Sequence, residues 1–165
     1  MTTVGPELGS LIIGAIKRAG VEFVLSLPDI LTSEHVLWPI ARDPDLCLVR
    51  VCKEDEGIAI SAALAYCDKR ALVLIQHTGL LDSINALRAI GVDQQAPVCL
   101  LVGLQGREPG IAPRESAEYG VRIVVPLLDA MGIAHCLVET PADAAKIAPA
   151  VDDAYAGARP VVILV

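Results

Sequence analysis

The stretch LCLVRVCKEDEGIAISAALAYCDKRALVLIQ, residues 46–76, predicts the fold of the chain. An apolar run over residues 46–51 is followed by a helical segment of small residues over 54–66 and by a second apolar run over 71–76. Strands that are apolar at every position are typical of a parallel sheet that is buried on both faces. The stretch therefore predicts two parallel strands joined by a crossover helix.

The same alternation of strands and helices continues on both sides of this stretch. Further apolar runs cover residues 21–27, 97–103, 134–139 and 160–165. Helical segments are predicted over residues 6–19, 33–40, 80–92, 115–131 and 141–157, and a long loop over 104–114. The chain is therefore predicted to be α/β, a three-layer sandwich with a six-stranded parallel sheet that forms a single domain over residues 1–165.

The composition disfavours several classes of protein. A net charge of −7, from 13 basic and 20 acidic residues, argues against a nucleic-acid partner. The longest apolar stretch, residues 96–104, is far shorter than the roughly 18 residues of a membrane-spanning helix. The first ten residues lack the pattern of a signal peptide. Five scattered cysteines without a CxxC pair favour buried free thiols over disulfides or a metal site. These features predict a cytoplasmic protein without a membrane partner.

The hydrophobic residues are mainly aliphatic. They make up 54% of the chain, whereas aromatic residues make up 3%. This apolar surface exceeds what one small domain hides, so we expect a large interface between subunits and homo-oligomerisation of the chain.

The residues that follow the predicted strands are the candidates for a site, because ligands of open parallel sheets bind beyond the carboxyl ends of the strands. They are Pro28 and Asp29 after the first strand, Glu54, Asp55 and Glu56 after the second, and Gln76, His77, Thr78 and Gly79 after the third. No GxGxxG, GxxxxGK[ST] or GxSxG motif is present, so dinucleotide binding, P-loop chemistry and an α/β-hydrolase elbow are unsupported.

The acids at positions 54–56 have two possible explanations. Carboxylates in the first turn of a helix interact favourably with its dipole and cap free amide groups, which accounts for Glu54 and Asp55. Glu56 is followed by small residues that permit close approach of another helix, and a carboxylate at such a contact would be partly desolvated. The residues alone leave open which effect dominates at Glu56.

Five segments resemble the pyrimidine-binding module of thiamine diphosphate enzymes. They are GVEFVLSLPDI (20–30), EGIAISAALAY (56–66), QHTGLLDSINAL (76–87), PVCLLVG (97–103) and GREPGIAPRESAEYGVRIVVPLLDAMGIAH (106–135). The resemblance covers nearly the whole chain in order. It is greatest to the alpha subunit of sulfopyruvate decarboxylase and to the N-terminal part of phosphonopyruvate decarboxylase. It implies a flavodoxin-like fold and thiamine diphosphate as cofactor.

The resemblance also implies roles for particular residues. A glutamate at the position of Glu56 hydrogen-bonds a ring nitrogen of the cofactor's aminopyrimidine in this family, which makes Glu56 the catalytic acid and leaves capping to Glu54 and Asp55. Asp29 is either a substrate contact or proton donor, or a turn residue after Pro28. His77 is either a proton relay or anion contact, or a structural histidine. The implied cofactor contacts are Glu56, Pro28, Gln76, Thr78 and Gly79.

Half of the site expected by resemblance is missing from the sequence. Members of the family hold the diphosphate through Mg²⁺ on a GDG…N segment, and this chain contains neither a GD nor a DG dipeptide. The resemblance therefore implies that a separate beta subunit binds Mg²⁺ and the diphosphate, and that this chain supplies no metal ligand. The implied activity is decarboxylation of a small 2-oxo acid, sulfopyruvate or phosphonopyruvate. The alternative is a catalytically silent or regulatory module of the same fold that binds a partner.

Overall fold

Six parallel strands form the centre of the chain in the structure, a computed structural model that describes residues 4–165. The strands are β1 (Phe23–Ser26), β2 (Cys47–Arg50), β3 (Ala71–Gln76), β4 (Cys99–Gly103), β5 (Ala134–Leu137) and β6 (Val161–Leu164). They pair in the order β2-β1-β3-β4-β6-β5, and every pairing is parallel. The predicted α/β fold with a six-stranded parallel sheet is confirmed.

Helical segments connect the strands. They are α1 (Pro6–Arg18), a π-helical turn (Ser33–Leu37) that continues as α2 (Trp38–Ile40), α3 (Glu54–Ala65), α4 (His77–Asp82), α5 (Ile84–Ala86) with a π-helical continuation (Leu87–Asp93), a 3₁₀ turn (Pro113–Glu115), α6 (Tyr119–Ala130), and a 3₁₀ turn (Pro141–Lys146) that continues as α7 (Ile147–Gly157).

The helices cover both faces of the sheet and give two hydrophobic cores. On one face, α1, the segment before α2 and α7 contribute buried residues such as Ile12, Val36 and Ile147. On the other face, α3, α4 and α6 contribute residues that include Ile58 and Leu80. The central strands lie between these layers, which explains why their apolar runs are continuous. This is the three-layer, flavodoxin-like arrangement that the sequence predicted.

Two predicted boundaries differ from the structure by three residues or more. The helix predicted to begin at residue 80 begins at His77, directly after β3, so no loop separates them. The helix predicted over 115–131 begins at Tyr119. Its expected first turn is extended because the Glu108 carboxylate accepts hydrogen bonds from the Ser116 hydroxyl at 2.7 Å and the Ala117 amide at 3.0 Å.

The cysteines are less buried than the sequence predicted. All five are free thiols, and Cys47, Cys52 and Cys67 are exposed. Cys99 is buried within the sheet, and burial raises the pKa of its thiol to about 12. Within residues 4–165, no helix combines the length and the apolar character needed to cross a bilayer.

A substitution pair in α1 tests the packing of this helix. A methyl group at Gly9 would lie 2.2 Å from the backbone carbonyl oxygen of His35, whereas a methyl group at Gly14 would meet just the mobile end of the Arg18 side chain. Gly9→Ala should lower the free energy of unfolding by about 1–3 kcal/mol through overpacking. Gly14→Ala should raise it by about 0.5–1 kcal/mol, because alanine favours a helix over glycine. Urea unfolding measures both, and a Gly9→Ala chain as stable as wild type would contradict the packing described.

Candidate functional site

A cavity of about 240 Å³ opens at the carboxyl ends of β1, β3 and β4. The segment after β1 packs on one face of the sheet and the helix after β3 on the other, so the two connections diverge at this point. Such a switch point is where open α/β sheets bind ligands. The cavity is lined by Leu27, Pro28, Asp29, Ile30, Glu54, Gln76, Thr78 and Gln105. The structure therefore brings together the predicted residues Pro28, Asp29, Gln76 and Thr78.

Glu56 lies at the exposed start of α3 and caps it. Its Oε2 atom accepts hydrogen bonds from the backbone amides of Cys52, at 2.8 Å, and Lys53, at 3.2 Å. This is how an acid at the third position of a helix satisfies amides that have no intrahelical partner. The structure places Glu56 at the cap of the helix and Glu54 at the cavity, the reverse of the predicted placement of the two side chains. The predicted role of Glu56 toward the cofactor stays a prediction.

Glu54 is half-buried and lines the cavity. It packs directly over Gly79, where a methyl group would lie 2.4 Å from both Cγ and Oε1 of Glu54. Gly79 does not line the cavity itself, but the lack of a side chain there lets the Glu54 carboxylate reach its position. The helical period could have found Glu54, since it shares a face with the buried Ile58 and Ser61.

Asp29 forms a local turn at the edge of the cavity. Its Oδ1 atom accepts hydrogen bonds from the amides of Leu31, at 2.6 Å, and Thr32, at 2.7 Å, and its Oδ2 atom accepts one from the Thr32 hydroxyl. The turn explanation of Asp29 is thus shown by the geometry, and its carboxylate also lines the cavity. Because both of its carboxylate oxygens accept hydrogen bonds, Asp29 fixes the conformation of the loop after β1.

Three neutral polar side chains form a hydrogen-bonded row across the cavity. The Thr78 hydroxyl donates to Oε1 of Gln76 at 2.7 Å, and Nε2 of Gln76 donates to Oε1 of Gln105. Sequence reasoning missed Gln105. Its position two residues after β4, at the same edge of the sheet, was the signal that could have found it.

His77 lies outside the cavity. It is 4% exposed, and its ring packs beneath the start of α6, where a methyl group at Gly120 would lie 2.9 Å from its Nε2 atom. Within residues 4–165, its buried Nδ1 atom has no hydrogen-bond partner. Burial lowers the pKa of His77, and the Gly103 backbone and the Glu118 carboxylate oppose this shift in part. The structure thus places His77 as a neutral, buried histidine rather than as a group facing a substrate.

A second cavity of about 190 Å³ lies farther along the same edge of the sheet, near the ends of β4, β5 and β6. Its charged side chains are Arg107 and Glu139, which form an ion pair at 2.9 Å. None of the predicted site residues lines it. Across residues 4–165 the structure also shows no group of three or more His, Cys, Asp or Glu side chains that could hold a metal ion.

Known proteins similar to this chain carry the name of one enzyme. The chain is 30% identical over 93 residues to sulfopyruvate decarboxylase subunit alpha of Methanothermobacter thermautotrophicus, in a match that spans 56% of each protein. It is 28% identical over 140 residues to the subunit of the same name from Methanocaldococcus jannaschii, covering 84% of this chain and 81% of that subunit. The chain resembles sulfopyruvate decarboxylase alpha subunits. The resemblance expected from the sequence motifs is confirmed.

The resemblance extends to a longer protein. Sulfopyruvate decarboxylase of Methanosarcina acetivorans matches 100% of this chain at 26% identity, but the match covers 41% of that protein's own length. The first of the alpha subunits is likewise matched over just 56% of its length. No family model matches the sequence.

Acidification should destabilise the fold through His77. Because burial lowers the pKa of His77 below its ordinary value of 6.5, the unfolded chain takes up a proton at a higher pH than the folded chain does. The stability associated with neutral His77 is therefore fully present above about pH 6.5 and is lost as the pH falls below that value toward the folded-state pKa. Urea unfolding between about pH 8 and pH 5 should show that the free energy of unfolding falls less for His77→Gln than for wild type.

The control for this titration is Gly14→Ala, which changes stability without removing a titratable group. It should lose stability with falling pH as wild type does. Equal losses in wild type and His77→Gln would show that His77 does not carry the effect.

Proposed function

We propose that this chain is the alpha-type subunit of a thiamine diphosphate-dependent 2-oxo acid decarboxylase, of the same type as the sulfopyruvate and phosphonopyruvate decarboxylases, and that it supplies the pyrimidine half of the active site. The observation that carries the proposal is Glu54, a half-buried carboxylate held over Gly79 in the switch-point cavity. The names of the relatives support a decarboxylase subunit.

The residues of the cavity fit an aminopyrimidine. A carboxylate that hydrogen-bonds a ring nitrogen, neutral amides for the polar ring edge and an apolar surface for the ring face are the groups such a ring requires. Glu54 supplies the carboxylate, Gln76 and Gln105 the amides, and Leu27 and Pro28 the apolar surface. Glu54, rather than Glu56, is thus the glutamate that we assign to the cofactor.

Each of these side chains has a task that follows from its contacts. Glu54 shares a proton at its carboxylate with the ring nitrogen, in a position that Gly79 fixes. The hydrogen bond from Thr78 holds the Gln76 amide, and Gln76 in turn donates to Oε1 of Gln105. The amide of Gln105 is thereby oriented, and its N–H groups remain available to a ligand. When bound, thiamine diphosphate supplies a nucleophilic carbon for attack on the keto group and accepts the electron pair left by carbon dioxide.

A partner subunit is the second part of the proposal. It would hold Mg²⁺ and the diphosphate, for which this sequence has no GDG…N segment. The exposed face of α3 supports an interface with another chain or another copy of this one, because Ala59, Ile60 and Ala63 are exposed there and Tyr66, just beyond the helix, is 77% exposed. The relatives named as alpha subunits agree with such an arrangement.

The partner and the activity can be tested together. The tagged chain is purified from its own host with Mg²⁺ and thiamine diphosphate, co-purifying proteins are identified, and carbon dioxide release is assayed with sulfopyruvate and then phosphonopyruvate. A co-purifying protein with a GDG…N segment and cofactor-dependent carbon dioxide release would support the proposal. A chain that purifies alone, or a complex that binds the cofactor without decarboxylating any 2-oxo acid, would favour the silent partner-binding module.

The two glutamates of α3 give a matched pair of variants. Glu54→Gln should lower the rate of decarboxylation by about 10²–10⁴-fold, the usual contribution of a positioned acid or base. Glu56→Gln should keep nearly full activity, because a glutamine can still accept the amide hydrogen bonds of the cap. The rates are measured on the purified complex at saturating cofactor. If Glu56→Gln abolishes activity and Glu54→Gln does not, our assignment is reversed.

A third variant tests Glu54 without changing it. The methyl group in Gly79→Ala cannot coexist with the Glu54 side chain in its present place, so the carboxylate should move. We expect a loss of activity of about 100-fold, comparable to that for a misplaced catalytic group. Gly5→Ala is the control, because a methyl group there meets no atom within 4 Å. Unchanged activity in Gly79→Ala complexes would show that the position of Glu54 is not required.

A further inference from the structure

The cavity wall that this chain supplies carries negative and neutral polar groups. Its charged residues are Asp29 and Glu54, and its neutral polar residues are Gln76, Thr78 and Gln105. Four of the five oxygen and nitrogen groups in the neutral row are already paired with one another. A second anionic group on a substrate would meet the Asp29 carboxylate here and be repelled by it.

The cations nearest in sequence to the cavity are engaged elsewhere. Lys53 precedes Glu54 but pairs with Asp82 at 3.1 Å on the outer surface. Arg107 follows Gln105 by two residues, but it lines the second cavity, where it pairs with Glu139. His77 is buried away from the cavity, and burial lowers the pKa of its ring, so it is neutral. None of the three offers a positive charge to a ligand in the cavity.

The remaining surface of the wall is apolar and unusually exposed at one point. Leu27, Pro28 and Ile30 line the cavity on the side of β1. Ile30 is 59% exposed, although its neighbour Leu31 is 8% exposed and packed in a core. A large aliphatic side chain held at the mouth of a ligand cavity by the Asp29 turn is positioned to contact an apolar group of that ligand.

We infer that Ile30, at the mouth of the cavity, selects a 2-oxo acid whose side chain is uncharged and apolar. The inference rests on the proposed function and assigns it a neutral 2-oxo acid in place of sulfopyruvate or phosphonopyruvate. It distinguishes this chain from relatives named for sulfopyruvate, whose substrate carries a second anionic group.

The test measures kcat/KM of the purified complex for a neutral series and an anionic pair. The neutral acids are pyruvate, 2-oxobutanoate and 2-oxopentanoate, and the anionic acids are sulfopyruvate and phosphonopyruvate. We expect the best neutral acid to exceed both anionic acids by at least about tenfold, since a methylene group in an apolar pocket is worth about 10–200-fold. Ligand binding is also measured without turnover, through the melting temperature of the complex. We expect 2-hydroxybutanoate to raise this temperature more than 3-sulfolactate does.

Two lysine variants separate the role of Ile30 from that of net charge. Ile30→Lys should shift the kcat/KM ratio toward sulfopyruvate by about tenfold or more, because it places a positive charge beside the ligand. Leu11→Lys adds the same charge at an exposed leucine of α1 that does not line the cavity, and should leave the ratio unchanged.

Each outcome has a distinct meaning. A wild-type complex that prefers sulfopyruvate overturns the inference and leaves the proposed function standing, since the partner would then bind the anionic group. A neutral preference that Ile30→Lys does not alter overturns the role of Ile30. A complex that decarboxylates none of the five acids overturns the proposed function, and the inference with it.

Discussion

The candidate site depends on one constraint. The connections that follow β1 and β3 lie on opposite faces of the sheet. Right-handed crossovers place the segment after β1 on one face of the sheet and α4 on the other, so the two connections must diverge. The buried Ser26 hydroxyl donates to the backbone carbonyl of Leu74 at 2.7 Å and ties the ends of these neighbouring strands together. The strands are therefore close at the point where their connections separate. The cavity is the space that remains, and its walls are set by the sheet rather than by mobile loops.

The first turn of α3 places two carboxylates on opposite sides of one helix. Glu54 and Glu56 are two residues apart, which places them about 200° apart around the helix axis. One carboxylate must then face the sheet and the other must face away. Glu56, on the outside, satisfies the amides of Cys52 and Lys53. Glu54, on the inside, needs no capping role and is free to face the cavity.

The sequence predicts the architecture well because burial on both faces makes each strand a continuous apolar run, and such runs alternate here with helical segments. It predicts the neighbourhood of the site equally well, since strand ends locate Asp29, Gln76 and Thr78 without any motif. It does not distinguish Glu54 from Glu56, because composition alone does not say which face of α3 meets the sheet. The burial of His77 depends on its contact with α6, a segment some forty residues away in sequence, and no local pattern records that contact.

The two outer strands bear on how the chain behaves before any partner binds. β2 and β5 form the edges of the sheet, and each is four residues long. Unpaired backbone groups on an edge strand can form hydrogen bonds with a strand of another molecule and so promote aggregation. Edge strands that are short and carry charged residues are less prone to this pairing. Arg50 ends β2 and lies 5.8 Å from the ring of Trp38, which places a positive charge at that edge. A copy of the chain that exposes apolar surface on α3 should therefore associate less readily through the edges of its sheet.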